Sequence, residues 1–198
     1  MNIFLQGNSG VGKSLILKEA LAPIAPQLAG FVVQRLTENG VTVGFRAVLL
    51  EGEFPSPEAV YIPEQAGVFM IHSKWDVSVL EAVIARVEEN SRRNGCKLVL
   101  LDEIGGIELN SAAFMATLKR VFSGGVPCSG VFKSHENLSR MASNLALGRE
   151  YFTVHKELMT LLRERGELVH VTGQNRTEIY GYLTSRLRLY LLEGNMVI

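Results

Sequence analysis

The sequence lacks an excess of charge of either sign, because its 198 residues include 20 lysines and arginines and 20 aspartates and glutamates. Proteins that bind nucleic acid or anionic membranes generally carry a basic excess, so we expect neither kind of partner. The sequence also lacks any apolar run near the roughly 18–20 residues that a membrane-spanning helix needs. Residues 1–6 lead straight into a glycine-rich motif, which leaves no room for a signal peptide. These absences predict a cytoplasmic protein.

Cysteine is scarce and the histidines are scattered. Cys96 and Cys128 are the two cysteines, and neither belongs to a Cys-x-x-Cys run or a Cys/His cluster. Free, buried thiols are therefore the favoured interpretation, with a disulfide as the less favoured alternative. The four histidines show no metal-ligand spacing, so no zinc site is predicted; they are His72, His135, His155 and His170.

The order of helix-like and strand-like segments predicts an α/β fold: a three-layer, mostly parallel sheet with helices on both faces. Asn39-Gly40 lies between two β-rich runs, 30–38 and 41–50, and predicts an antiparallel hairpin with a two-residue turn. Residues 51–74 are expected to be a loop with one short strand, at 68–71. Residues 134–165 are expected to form a helical insertion in two pieces.

The other predicted elements are more regular. Apolar runs predict strands, and apolar residues at helical spacing predict helices. In chain order these are a strand over 1–6, a helix over 12–22, a helix over 76–94, a strand over 97–101, a helix over 111–122, strands over 128–132 and 168–172, and a helix over 175–192.

Residues 7–14, the phosphate loop, match the pattern Gly-x-x-x-x-Gly-Lys-[Ser/Thr] in full. Glycines let the backbone wrap closely, so that successive N–H groups point at phosphate oxygens, and the following helix adds its positive N-terminal end. We expect Lys13 to bridge the β- and γ-phosphates as a catalytic cation and the Ser14 hydroxyl to ligate Mg²⁺. The pattern favours a single P-loop nucleotide-binding domain over residues 1–198. The predicted nucleotide-binding residues are Gly7, Asn8, Ser9, Gly10, Val11, Gly12, Lys13 and Ser14.

The second candidate site element is the acidic pair Asp102-Glu103, directly after the predicted strand 97–101. Ligands bind at the carboxyl ends of parallel strands, so this pair should face the phosphate loop. Asp102 is predicted to hold Mg²⁺ opposite Ser14, and Glu103 to orient the attacking water as a general base. A water-activating carboxylate favours hydrolysis over transfer to an acceptor. Glu108 is interpreted as a surface or helix-capping residue.

Beyond these motifs, the run Leu101-Asp102-Glu103-Ile104-Gly105-Gly106-Ile107-Glu108-Leu109 resembles the D-E-I-G-K-M-E-L signature of the THEP-type nucleoside-triphosphatases, the family that includes the cancer-related nucleoside-triphosphatase. Gly30-Phe31 and Gly44-Phe45 around the hairpin are similar to the family's second and third strands. The run Val171-Thr172-Gly173-Gln174-Asn175-Arg176 resembles its V-T-x-x-N-R segment. The signature's lysine is Gly106 here.

The resemblance implies a P-loop NTPase fold and Mg²⁺-dependent hydrolysis of nucleoside triphosphates, ATP and GTP among them, to diphosphate and phosphate with broad base tolerance. It implies phosphate binding by residues 7–14, and metal and water roles for Asp102 and Glu103.

A further cation is expected at the γ-phosphate, because charge develops there in the transition state. Arg176 follows the last predicted strand and is the third predicted catalytic residue; an exposed pairing with Glu178 is an equally weighted alternative. The basic residues of segment 134–165 favour a solvated helix face over an arginine-bearing lid. Two other functions stay open: a nucleotide or small-molecule kinase with a helical lid, and a slow nucleotide-dependent switch that acts through a protein partner.

Overall fold

The computed structural model describes residues 2–145 and 147–194, and a nine-stranded sheet runs through them. The strands are β1 (Ile3–Gln6), β2 (Leu28–Glu38), β3 (Val41–Leu49), β4 (Glu58–Val60), β5 (Val68–Ile71), β6 (Lys74–Trp75), β7 (Leu98–Ile104), β8 (Cys128–Phe132) and β9 (Glu167–His170). The predicted first strand and the predicted helical insertion also included residues 1 and 146, which lie outside the described residues.

The α-helices are α1 (Lys13–Leu21), α2 (Val77–Ser91), α3 (Ala112–Ser123), α4 (His135–Leu145), α5 (Arg149–Arg165) and α6 (Arg176–Gly194), and two short 3-10 helices cover Ala22–Gln27 and Ile107–Asn110. Side-chain caps fix two of the helix starts. Asp76 accepts a hydrogen bond from the Ser78 N–H at 3.0 Å before α2, and Ser111 accepts one from the Phe114 N–H at 2.9 Å before α3.

The sheet has the order β6-β5-β3-β2-β7-β8-β1-β9, with β4 beside the outer half of β2. The pairs β2–β7, β7–β8, β8–β1 and β1–β9 are parallel. Antiparallel pairing is confined to the edge formed by β2, β3, β5 and β6. The mostly parallel α/β fold is thus confirmed, and so is the hairpin, in which Asn39 and Gly40 adopt the positive φ angles of 50° and 76° that its turn requires.

The prediction of one short strand within residues 51–74 is wrong, because the structure adds β4 and β6. β4 pairs with Arg35–Thr37 of β2, beyond the point where β7 stops pairing, and β6 folds back on β5. Strands of two or three residues are too short to show an alternating pattern. These segments become strands because β2 and β5 have backbone groups that still need hydrogen-bond partners. No pattern in the sequence predicts them.

Helices cover both faces of the sheet and give the predicted three layers. On one face α1 packs against α6, and the buried residues there include Ile16, Leu17, Ile179, Leu183 and Leu187. On the other face α2 packs against α3, and α4 and α5 extend the same core. Among the described residues, no helix combines the length and the apolarity that crossing a bilayer demands.

Both cysteines have free thiols, as predicted. Cys128 is buried, and Cys96 is partly buried.

Candidate nucleotide site

The phosphate loop connects β1 to α1, and Lys13 is its buried cation. Lys13 is the first residue of α1. Its Nζ donates hydrogen bonds to the Gly7 carbonyl oxygen at 3.1 Å and to the Asn8 carbonyl oxygen at 2.7 Å. Burial is the main cause that lowers the pKa of Lys13; the charge of Glu103 opposes this shift, and that of Lys133 adds to it. The ammonium group therefore lies inside the loop, close to Asp102 and Glu103 of β7 and to Lys133, which directly follows β8.

Two glycines of the loop are required by their surroundings. Gly7 has a φ of 146°, and a Cβ there would lie 2.2 Å from the Val171 carbonyl oxygen. Gly12 has a φ of 88°, and a Cβ there would lie 2.9 Å from Nη2 of Arg176. A side chain at residue 7 would clash with fixed backbone, whereas at residue 12 the Arg176 guanidinium could move aside and the left-handed φ is what favours glycine.

The acidic pair lies in a bulge of β7, and the prediction that the strand ends at residue 101 is wrong. β7 continues to Ile104, but its register with β8 shifts between Leu101 and Ile104, and Glu103 has a φ of 57°. Neighbouring side chains of a regular strand point to opposite faces, and a bulge redirects one of them. The bulge lets Asp102 and Glu103 line the same cavity.

Asp102 is buried and contacts the phosphate loop. Its Oδ1 accepts a hydrogen bond from Ser14 Oγ at 2.7 Å, and its Oδ2 accepts one from the Val33 N–H at 3.1 Å. Burial raises the pKa of Asp102 to about 6, and the charge of Glu103 adds to the rise, while the bonds from Ser14 and Val33 oppose it. The hydroxyl of Ser14 and the carboxylate of Asp102 thus lie side by side, and both are oxygen ligands of the kind that Mg²⁺ prefers.

Glu103 has a neighbour that the sequence analysis missed. Its side chain is 43% exposed, and its Oε2 lies 3.6 Å from Nζ of Lys133. Lys133 directly follows β8, and a residue just after a parallel strand lies at the ligand-binding edge of the sheet. That position was a usable signal, because the strand over 128–132 was predicted with the bounds the structure shows.

These groups line a cavity of about 240 Å³. The phosphate loop contributes Ser9, Gly10, Gly12, Lys13 and Ser14, and β7 contributes Asp102 and Glu103. In the part of the chain that the structure describes, no group of three or more His, Cys, Asp or Glu residues could hold a metal ion. A metal at Ser14 and Asp102 would therefore take its other ligands from phosphate oxygens and water.

Arg176 lies on another side of the phosphate loop. It is the first residue of α6, it is exposed, and its guanidinium packs against Gly12. Among the described residues that line the cavity with Asp102 and Glu103, Arg176 does not occur. The structure brings Lys13, Ser14, Asp102 and Glu103 together, as predicted, and places Arg176 next to the start of α1.

Glu108 is not a surface residue, and that part of its interpretation is wrong. It is 5% exposed, and its Oε1 accepts hydrogen bonds from the N–H groups of Gly105 and Gly106. It therefore caps the backbone just before the short helix Ile107–Asn110, while its buried neighbours Ile107 and Leu109 carry the segment into the core. Burial raises the pKa of Glu108, against the effect of these hydrogen bonds and of Lys133.

A family model described as NTPase matches residues 2–184. The chain belongs to this NTPase family. The nucleoside-triphosphatase THEP1 of Thermotoga petrophila is 30% identical to it over 124 residues, which cover 62% of this chain and 66% of that protein. The THEP1 of Methanocaldococcus jannaschii is 21% identical over 191 residues, which cover 94% of this chain and 97% of that protein.

Two solved structures share the fold. The crystal structure of THEP1 from Aquifex aeolicus has a TM-score of 0.58 and 20% identity, and the match covers 94% of this chain and 99% of that one. The solution structure of a human cancer-related nucleoside triphosphatase has a TM-score of 0.59 and 20% identity, with coverages of 94% and 96%. The resemblance to THEP-type proteins is confirmed, and the chain is an enzyme of the nucleoside-triphosphatase class.

Proposed function

We propose that the chain hydrolyses nucleoside triphosphates, ATP and GTP among them, to diphosphate and phosphate, with Mg²⁺ as cofactor and with broad tolerance of the base. The single observation that carries this proposal is the convergence of the phosphate loop, the Ser14–Asp102 pair and the Glu103 carboxylate in one cavity. The whole chain would act as one nucleotide-binding domain in the cytoplasm, on free nucleotides and without nucleic acid or membrane.

The phosphate loop would bind the triphosphate through residues 7–14. Lys13 Nζ now bonds to the carbonyl oxygens of Gly7 and Asn8, and phosphate oxygens would replace or join these acceptors. Because the ammonium is fixed by the loop and by the start of α1, it needs little reorganisation to meet the negative charge that develops on the γ-phosphate.

Ser14 and Asp102 would hold the Mg²⁺ ion. Their oxygens are 2.7 Å apart and hydrogen-bonded, so they form a ready pair of ligands on one side of the cavity. Bound there, Mg²⁺ would supply charge neutralisation at the phosphate oxygens. The raised pKa of Asp102 agrees with this role, because a buried carboxylate next to Glu103 stays charged more easily with a cation beside it.

Glu103 would activate the attacking water. Its carboxylate is exposed to the cavity, unlike that of Asp102, so it has room to accept a hydrogen bond from water. The water oxygen forms a bond to the γ-phosphorus, its proton passes to the Glu103 carboxylate, and the bond to the β–γ bridging oxygen breaks. Diphosphate leaves with the electron pair of that bond.

Lys133 would supply the additional cation expected at this end of the nucleotide. Its Nζ is 3.6 Å from Glu103 Oε2, and its charge acts on Lys13 as well, so it lies near both the water-activating group and the γ-phosphate-binding lysine. Arg176 packs against Gly12 instead. We therefore propose that Arg176 contacts the ribose or the α- and β-phosphates of the bound nucleotide. It would then help catalysis by binding the nucleotide.

Broad base tolerance is supported by the turn at residues 172–175. Asn175 Oδ1 accepts a hydrogen bond from the Thr172 N–H at 2.8 Å, and Asn175 Nδ2 donates one to the His170 carbonyl oxygen at 3.0 Å. The Asn175 amide is thus used to hold the turn and is not free to read a base. Gly173 offers only backbone groups, which suit loose recognition.

Phosphate release with Mg²⁺ and each of ATP, GTP, CTP and UTP tests the proposal, with Lys13→Ala as the inactive control and omission of Mg²⁺ as a second one. The proposal expects release from several of the four nucleotides with no acceptor added. A kinase would release phosphate only after an acceptor was supplied, and a partner-dependent switch would release it only after cell extract was added; either result would contradict the proposal.

A further inference from the structure

A second cavity, of about 340 Å³, opens beside the phosphate cavity. The two cavities share residues, among them Ser9, Lys13 and Glu103. The second cavity extends from these residues toward β3, β5 and α3, and neither Gly12 nor Arg176 lines it. Its volume lies within the ~300–1,000 Å³ that is usual for small-molecule sites. The proposed hydrolysis leaves this cavity without a role.

Five aromatic side chains line this cavity. They come from four strands and one helix: Phe31 (β2), Phe45 (β3), Phe69 (β5), Trp75 (β6) and Phe114 (α3). Rings of this kind bind planar ligands by stacking and edge contacts. The centroids of Phe69 and Trp75 are 6.1 Å apart, so these two rings already form a joint surface.

One buried acceptor faces this apolar wall. Glu108 lines the cavity and is 5% exposed. Its Oε1 is occupied by the N–H groups of Gly105 and Gly106, whereas no described residue donates a hydrogen bond to its Oε2. This second oxygen is accessible from the cavity and not sealed inside the protein, so a ligand N–H group can donate a hydrogen bond to it.

Gly106 keeps this oxygen uncovered. A Cβ at residue 106 would lie 2.9 Å from Glu108 Oε2 and 3.3 Å from Cε of Lys133. Gly106 has a φ of −107° and a ψ of −143°, outside the helical and extended regions, so its backbone as well as this crowding favours glycine. The THEP-type signature has lysine at this position, and a side chain there would crowd the cavity at Glu108 Oε2. The glycine makes the cavity a feature of this chain's own sequence.

Two cations, Arg140 and Lys133, also line the cavity, and Lys133 lies beside Glu108. α4 presents Asn137, Arg140, Met141 and Asn144 to the cavity, which is one helix face at spacings of three and four residues. Arg140 is exposed, and Lys133 lies on the same side as Glu103. Because Lys133 is already assigned to the γ-phosphate, an anionic group on a second ligand would meet Arg140.

We propose that the second cavity binds a planar heterocycle that carries an amino or ring N–H donor and an anionic arm, with the donor on Glu108 Oε2, the ring against the aromatic side chains and the arm toward Arg140. The cavity and its chemistry stand on the contacts above. Only its position next to the γ-phosphate rests on the proposed function.

Two probes of this class test the proposal: guanosine monophosphate and 6-carboxypterin. Trp75 is the single tryptophan of the chain and lines the cavity, so its fluorescence follows binding of the first probe; the anisotropy of the pterin's own fluorescence follows the second. Ribose 5-phosphate, which has the anionic arm without the ring, is the control probe. Each titration is run on the protein alone and on the protein saturated with Mg²⁺ and adenylyl imidodiphosphate.

The matched variants are Glu108→Gln, Arg140→Ala and Glu157→Gln. Glutamine at 108 keeps an oxygen for the N–H groups of Gly105 and Gly106 but presents an amide N–H₂ to the cavity, so it should weaken probe binding about tenfold or more. Arg140→Ala should weaken it about threefold, because an exposed charge contributes little. Glu157 is an exposed carboxylate of α5, and its replacement should change nothing.

The proposal expects saturable binding of at least one of the two probes, retained when the nucleotide analogue is bound and weakened by Glu108→Gln. It is overturned when neither probe saturates at millimolar concentration, when the analogue displaces them, or when Glu108→Gln binds them as the unmodified protein does. If the analogue itself fails to bind while a probe saturates, the proposed hydrolysis fails and the second cavity stands.

Discussion

The backbone of Glu103 stores strain that a pair of variants can measure. Glu103 has a φ of 57°, in the left-handed region that favours glycine. Glu103→Gly and Glu103→Ala both remove the carboxylate and the contact with Lys133, so they differ in one respect. Glycine relieves the left-handed backbone, and alanine keeps it strained.

The left-handed conformation costs a residue with a Cβ about 1–2 kcal/mol. Glycine avoids this cost, but it lowers the free energy of unfolding by about 0.5–1 kcal/mol because its unfolded chain has greater conformational freedom. We therefore expect Glu103→Gly to be more stable than Glu103→Ala by about 0.5–1 kcal/mol, or about 1–4 °C in Tm for a domain of this size. The ion pair with Lys133 is lost in both variants and, being partly exposed, is worth no more than about 1 kcal/mol.

Urea unfolding of the two variants in the absence of nucleotide measures the difference, and thermal unfolding checks it. Phosphate release measured on the same samples should be lost in both, since neither retains the proposed general base. If Glu103→Gly is no more stable than Glu103→Ala, the bulge holds no strain at this residue. If Glu103→Gly hydrolyses ATP at the rate of the unmodified protein, the strained residue is not the base.

Three further predictions concern residues around the site and the core. Lys133→Met should lower kcat/KM for phosphate release by about 10–100-fold, because it removes the cation that we propose acts on the developing charge. Lys119→Met, on the exposed face of α3, should leave kcat/KM unchanged, and equal effects of the two variants would contradict the proposed role of Lys133. Burial raises the pKa of Glu108 above its usual 4.5, so the stability contributed by its protonated form is lost as pH rises through the folded-state pKa. The stability advantage of Glu108→Gln over the unmodified protein should therefore grow from pH 4 to pH 7 in urea titrations, and a constant difference would count against the burial argument. Burial raises the pKa of the Cys128 thiol to about 12, so iodoacetamide at pH 8 should leave it unmodified until the protein is unfolded, as peptide mass spectrometry would show; rapid labelling of the native protein would contradict this.

Much of the fold and half of the site follow from local sequence. The phosphate loop has a full motif, the hairpin has its Asn39-Gly40 turn, and apolar runs mark the central strands. Once the parallel sheet is inferred, the ends of β1 and β7 must meet, which brings Lys13 and Ser14 to Asp102. These features are predictable because each depends on a few neighbouring residues and on one topological rule.

The remainder depends on contacts between distant residues. β4 exists because β2 has free backbone groups beyond its pairing with β7. The bulge that places Glu103 at the cavity arises from a register shift between β7 and β8. Neither residue of the acidic pair predicts such a shift. A glutamate is usually exposed, so the sequence favours a surface position for Glu108. Its burial depends on the short helix around it and on the N–H groups of Gly105 and Gly106, which donate hydrogen bonds to its carboxylate.

The role of Glu103 is tested most directly by Glu103→Gln, an isosteric change that keeps the size of the side chain and removes its basicity. Single-turnover phosphate release from Mg²⁺·ATP and binding of Mg²⁺·adenylyl imidodiphosphate are measured on the same preparation. The account predicts nucleotide binding close to that of the unmodified protein and phosphate release slower by about 100-fold or more. Phosphate release at the unmodified rate would show that another group activates the water.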